Sequence, residues 1–220
     1  KSSGVLMHSI QVNNLEFHGP INKRFKIPDE HLVSFSHEFT YGKSYLLSGE
    51  AGQGGFALSW ILGGLLDPQQ GSIYRNGMPY SAQQRKEDGW CVHYSEVKRF
   101  GLLKQSVKAQ VRHGLRTTAN PYLKSEAEVI ERFRLTPERY DRPMGHLSGE
   151  AWSASCAIGF VHGKRIFCFP WSIYRIEEYT DLWLKKQFDL LTSTGSLVII
   201  PFRETEPARR LCDEVVRLRP

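Results

Sequence analysis

The sequence predicts an α/β protein with an antiparallel β region placed ahead of a parallel sheet. Three observations carry this. The opening third contains stretches that alternate apolar and polar residues with a period of two, at 10–17 and 33–39, as half-buried strands do. A glycine-rich turn at 49–57 then joins an apolar strand end to an apolar helical stretch. The final third alternates helical patterns with short continuous apolar runs, Ile166-Phe167-Cys168-Phe169 and Leu197-Val198-Ile199-Ile200. Such runs are expected of strands buried on both faces, and their alternation with helices implies parallel pairing.

Length and composition narrow the class. The chain has 220 residues, 40% hydrophobic and 24% charged, which suits one soluble domain spanning 1–220. No apolar run reaches the ~18 residues of a membrane span. Lys1-Ser2-Ser3-Gly4 is not followed by a secretory apolar core, so the expected compartment is the cytosol. The four cysteines (Cys91, Cys156, Cys168, Cys212) form no C-x-x-C pair and the eight histidines no H-x-x-x-H pattern. Buried free thiols are expected, and no metal site. The net charge of +6 is spread along the chain with no basic block interleaved with aromatics, so nucleic acid is not an expected partner.

The elements follow in order. Strands are expected at 10–17, 24–28 and 33–39, a turn at 41–44, and a strand end at Tyr45-Leu46-Leu47. The apolar stretch 56–66 is long enough for a helix interrupted at Gly63-Gly64, and 71–77 reads as a strand running into an Asn-Gly turn. A polar segment at 83–88 precedes a strand at 90–94. Leu103, Val107, Val111 and Leu115 recur at i+4, which predicts a helix. A second spans 125–134, where Ser125 and Glu128 have the spacing of a capping box. Turns are expected at 136–140 and 142–143. The helical region as a whole covers about 101–160 and closes with a helix at 151–161. After the strand at 166–169 come an amphipathic helix at 177–191, a strand at 197–200 ended by Pro201, a short helix at 207–212 and a last strand at 215–218.

The turn at 49–57 carries the chemistry. Gly49-Glu50-Ala51-Gly52-Gln53-Gly54-Gly55-Phe56-Ala57 has the strand–loop–helix layout of the phosphate-binding pattern G-x-x-x-x-G-K-[ST]. Gly49 and Gly54 stand where the pattern wants glycine. Gly55 replaces the lysine that reaches the terminal phosphates, and Phe56 replaces the hydroxyl that binds magnesium. The backbone N–H groups from Ala51 to Phe56 retain the makings of an anion nest.

A second motif, Leu147-Ser148-Gly149-Glu150-Ala151, follows Asp141-Arg142-Pro143-Met144-Gly145-His146 and leads into a helix. With the order of the other elements, and with residues 211–218 at the end, the chain resembles the nucleotide-binding domain of ATP-binding cassette (ABC) proteins over nearly its whole length. The resemblance implies a P-loop NTPase-like cassette with an antiparallel β subdomain and a helical insert. It implies a second cassette, paired head to tail in a homo- or heterodimer, and a membrane permease as partners. The chain would then sit in the cytoplasm, peripherally at the inner face of the membrane. The permease would dock near Phe100, Leu102 and Leu103.

The departures from the family are concentrated at reactive positions. The strand that should end in Asp-Glu ends in Pro170-Trp171, and Pro201-Phe202 takes the place of the switch histidine. The glutamine that senses magnesium aligns with Tyr94 or a neighbour. Phosphoryl transfer depends on positioning and on neutralising charge, and those groups are missing. The expectation is a pseudo-ATPase with no catalytic residue, no metal and no required cofactor, with ATP or phosphate held weakly at most. Glu150 stands where the family has glycine, and would oppose a partner's nucleotide unless it turns away. Two other readings stay open. One is a soluble scaffold presenting Trp152, Trp171 or Trp183; the other is an ATPase using substitutes such as Lys43, Glu177 and Glu178.

Overall fold

β1 (Ser9–Gly19) pairs antiparallel with both β2 (Glu30–Thr40) and β4 (Gln70–Arg75), and β5 (Met78–Pro79) extends the sheet to the order β2-β1-β4-β5. The structure is a computed structural model and describes residues 8–21, 28–95, 105–147, 149–170 and 183–218. In β1 the alternation changes parity. Ile10 and Val12 are buried, and then Leu15 and Phe17. A bulge between Val12 and Leu15 makes this possible, with Asn14 in the left-handed region at φ 49°. The extra residue returns the odd-numbered side chains to the core face. The Asn-Gly turn forms as the sequence predicts, with Asn76 at φ 52° and Gly77 at φ 76°.

The second sheet is parallel throughout, in the order β6-β7-β8-β3-β9. Its strands are β6 (Gly89–Cys91), β7 (Ile166–Cys168), β8 (Leu197–Phe202), β3 (Ser44–Ser48) and β9 (Glu214–Arg217). It divides two cores. Leu46, Trp90, Phe167, Val198 and Ile200 face the helical side. Tyr45, Leu47, Cys91, Ile166, Cys168, Leu197 and Ile199 face the antiparallel sheet and α1 (Gly55–Leu62). Burial on both faces explains why these strands read as unbroken apolar runs.

α6 (Ala151–Val161) packs against α3 (Val107–Thr117), α4 (Glu126–Phe133) and α7 (Lys185–Ser193), and ten of its residues are buried. α5 (Pro137–Tyr140) and a 3-10 turn (Met144–His146) complete this group, and α8 (Glu206–Leu211) lies between β8 and β9. Ser125 caps α4 by accepting the Glu128 N–H at 3.2 Å, while the Glu128 carboxylate takes the Lys124 N–H instead of closing the box on Ser125.

Several boundaries differ from the sequence reading. The polar segment at 83–88 is helical, α2 (Ala82–Asp88), started by a full capping box between Ser81 and Gln84. Residues 137–140 form a short helix because Pro137 fits its first position. β6 stops at Cys91, and His93 takes φ 72°. α1 ends at Leu62 with Gly63 as its cap, short of Leu66. β8 runs through Pro201. The Leu197 N–H points to β7 (Arg165 O) and the Val198 N–H to β3 (Lys43 O), so position 201 faces the β7 side. β7 has already ended opposite Ile199, so no ladder bond is lost by the missing N–H. The strand expected at 24–28 and the first part of the helix expected at 177–191 fall largely outside the described residues. So do Phe100, Leu102 and Leu103.

Candidate functional site

The glycine-rich loop leaves the C-terminal end of β3, between β8 and β9, and enters α1. The Gly49 N–H donates to Phe202 O at 3.4 Å, which ties the loop to the end of β8. The Gln53 side chain folds back to accept the Glu50 N–H at 2.7 Å. Gly52 and Gly54 have φ of 93° and 85°. At Gly54 a Cβ would lie 2.8 Å from Leu32 Cα, so both backbone angle and space require glycine there.

A carboxylate occupies the nest. Glu30, only 1% exposed, accepts the Gly52 N–H at Oε1 (2.9 Å) and the N–H groups of Phe56 (3.0 Å) and Ala57 (3.3 Å) at Oε2. The sequence reading missed this residue. Asp29-Glu30-His31 has no period and no motif, and its donors lie 22 to 27 positions later.

Gly55 and Phe56, which the resemblance aligns with a lysine and a magnesium-binding hydroxyl, meet apolar neighbours. At Gly55 a Cβ would stand 3.0 Å from Leu218 Cδ1 and 3.3 Å from Pro201 Cβ, so a side chain there meets the end of the last strand. The Phe56 ring is buried and packs on Trp60 (centroids 5.2 Å apart) and Tyr94 (6.0 Å), which also pack on each other at 5.2 Å. Tyr94 thus meets the start of α1 as a ring against a ring. Burial raises its hydroxyl above the ordinary tyrosine range.

Pro170 is buried just beyond β7, and Trp171 lies outside the described residues. Phe202 is the last residue of β8, and Arg203 follows the strand. Arg203 Nε lies 3.8 Å from Glu50 Oε2. The next residue, Glu204, takes two bonds of 2.9 Å from Arg217. The hydrogen bond from Arg217 holds its carboxyl below the usual carboxylate range, with further help from the Arg217 and Arg209 charges.

The motif at 147–150 belongs to the helical group. Leu147 is buried, Gly149 is exposed with open space around it, and Ser148 lies outside the described residues. The Glu150 carboxylate turns toward α5. It accepts the Thr136 N–H at 3.2 Å, is hydrogen-bonded by the Thr136 hydroxyl, and lies 3.9 Å from Arg139.

Of the substitutes named for an ATPase, Lys43 alone lies among the described residues. Lys43 sits before β3, about 16 Å of strand from the loop, and its Nζ pairs with Glu214 at 2.5 Å. Glu177 and Glu178 lie outside the described residues. Trp152 and Trp183 pack against the helical core. No cluster of three or more potential metal ligands occurs among the described residues. Among them, too, no helix is long and apolar enough to cross a membrane.

No family model matches the chain. A Treponema denticola protein, provisionally named an ABC transporter ATP-binding protein, is 28% identical over 193 residues. That match covers 85% of this chain and 37% of the relative, so the chain spans little over a third of the relative's length. Among solved structures, cbiO1 from Clostridium perfringens, described as part of the ABC transporter complex cbiONQ, aligns at TM-score 0.67 and 18% identity, covering 96% of this chain and 84% of that one. An ATP-binding cassette of an ABC transporter in its ADP conformation aligns at TM-score 0.67 and 15% identity, covering 96% and 87%. The fold is therefore that of an ABC ATPase cassette, with an antiparallel β subdomain, a parallel sheet and helices.

Proposed function

We propose that this chain is the cassette subunit of an ABC-type transport assembly and does not hydrolyse ATP at its own loop. In this reading it pairs with a second cassette and docks on a membrane permease. The observation that carries it is the packing of Phe56 on Trp60 and Tyr94. A buried aromatic cluster stands where a magnesium-binding hydroxyl is needed, and it offers the ion no oxygen. The absence of the phosphate-binding lysine at Gly55 points the same way. The residues present do not fit a magnesium–polyphosphate, and no catalytic step is assigned to them.

The transport role rests on the fold and on the provisional name of the relative, and it needs no cofactor bound to this chain. The orientation of Glu150 supports a trans role, because its carboxylate is held by Thr136 and Arg139 instead of standing free at Gly149. The decisive measurement is ATP turnover by the purified chain, with and without magnesium. Background turnover is expected in both. A magnesium-dependent rate abolished by Gly54→Asp would sink the reading. Affinity isolation from membranes is expected to recover a second cassette and an integral membrane protein.

A further inference from the structure

The nest at the start of α1 is liganded from within the chain. Phe56 and Ala57 are the second and third residues of the helix, whose N–H groups have no partner inside it. Gly54 at the cap has no side chain to take them. Glu30 does so from the first position of β2, and its other oxygen takes the Gly52 N–H. A carboxylate buried this deeply is costly without donors. Two N–H groups at the positive end of a helix and the loop N–H of Gly52 supply them.

The backbone around Glu30 closes the loop as well. The His31 N–H donates to Gly52 O at 2.8 Å. A Cβ at Gly52 would lie 3.2 Å from Asp29 O, and one at Gly54 would lie 2.9 Å from His31 O. The β1–β2 ladder fixes this segment by pairing Glu30 with Gly19, His31 with His18 and Leu32 with Phe17. Rotating the Glu30 side chain away would leave residues 29–32 across the loop. The Glu30 carboxyl group takes all three donors, and the backbone of residues 29–32 stands close against Gly52 and Gly54.

We infer that Glu30 is the resident ligand of the glycine-rich loop, making it a carboxylate site that β2 closes to polyphosphates. The inference does not depend on pairing with a second cassette, because every contact is within this chain. Glu30→Ala removes the atoms of one acetate ion and leaves its donors in place. The melting temperature of this variant is expected to fall, and sodium acetate is expected to raise it relative to chloride at equal ionic strength. The amide resonances of Gly52, Phe56 and Ala57 should shift with acetate in the variant. Acetate should bind the variant about tenfold or more tightly than the wild type, the equivalent of one or two charge-assisted bonds. ATP should shift these amides in neither protein. The inference is overturned if acetate moves neither the melting temperature nor these amides in the variant, or if ATP shifts them in the wild type. Should Glu30→Ala not fold, Glu30→Gln keeps the shape but turns an NH2 group toward part of the donor set. At least one of the three amides should then lose about tenfold in exchange protection, as expected for one lost hydrogen bond. Unchanged protection at all three overturns the inference. Turnover measurements leave the acetate result untouched, so the two proposals can fail separately.

Discussion

Leu218 Cδ1 reaches to 3.0 Å from where a Cβ on Gly55 would stand, with Pro201 Cβ at 3.3 Å on the other side. The end of the last strand therefore occupies the space that a side chain at position 55 would enter. Gly55→Ala must push Leu218 aside, at a cost of about 1–3 kcal/mol for overpacking. The gain of about 0.4–1 kcal/mol from a stiffer unfolded chain offsets part of that. In Leu218→Ala the same change at 55 is expected to be neutral or stabilising. Urea unfolding of the two single variants and the double variant checks the coupling, about 0.5–3 kcal/mol for residues in contact. Strict additivity would mean that Leu218 does not fill this space.

Phe56 is a structural residue at what resembles a metal position. Its ring is 1% exposed and anchors the cluster with Trp60 and Tyr94. Phe56→Ala is expected to destabilise the protein by about 3–5 kcal/mol, as buried aromatics do on truncation. Phe56→Ser, which restores a hydroxyl, is expected to cost at least as much and to produce no magnesium-dependent turnover. Denaturant titration and a phosphate-release assay read the two outcomes.

Glu150 holds the turn into α5. Removing its carboxylate strips the Thr136 N–H and hydroxyl of their acceptor. Glu150→Ala is expected to cost about 1–3 kcal/mol, the range for a lost partner of a partly buried donor. Thr136→Val in the Glu150→Ala background should then cost less than it does alone. Equal costs in both backgrounds would show that the pair does not interact in solution.

Stability should fall at both ends of the pH scale. Burial is the largest cause lowering His37 and His162 below the ordinary histidine value of 6.5. Above that value both states are neutral and the groups contribute nothing. As the pH drops below it, the unfolded chain takes up protons first, so stability is lost toward acid. At the alkaline end burial pushes Tyr41 from 10.0 up to about 12, and Tyr80 shifts in the same direction. The unfolded chain then ionises first, and stability falls as the pH rises from 10 toward 12. His162→Asn should flatten the acid limb and Tyr41→Phe the alkaline limb of a plot of urea midpoint against pH. Slopes unchanged in these variants would assign the limbs to other groups.

The sequence by itself determined the elements whose signal is local. The runs at 166–169 and 197–200 are apolar because both faces are buried, and the Asn76-Gly77 turn is written in two residues. Gly54 had to be glycine for a positive φ, and its spacing from Gly49 announced a strand–loop–helix turn. The polar segment at 83–88 gave no apolar face to mark α2, and the Ser81/Gln84 capping box that starts it was not read from the sequence. Tertiary structure decided the rest. The bulge at Asn14 reverses the parity of β1 only because β2 and β4 pair on either side of it. Pro201 stays in its strand only because β7 ends first. The contents of the site were decided in the same way. A carboxylate from β2, a leucine from the end of the last strand and two rings from α1 and the loop after β6 meet at residues 52–57. The turn residues are set by their own backbone angles. Which side chains fill the turn depends on strands and loops brought together by the two sheets, and no local pattern records that.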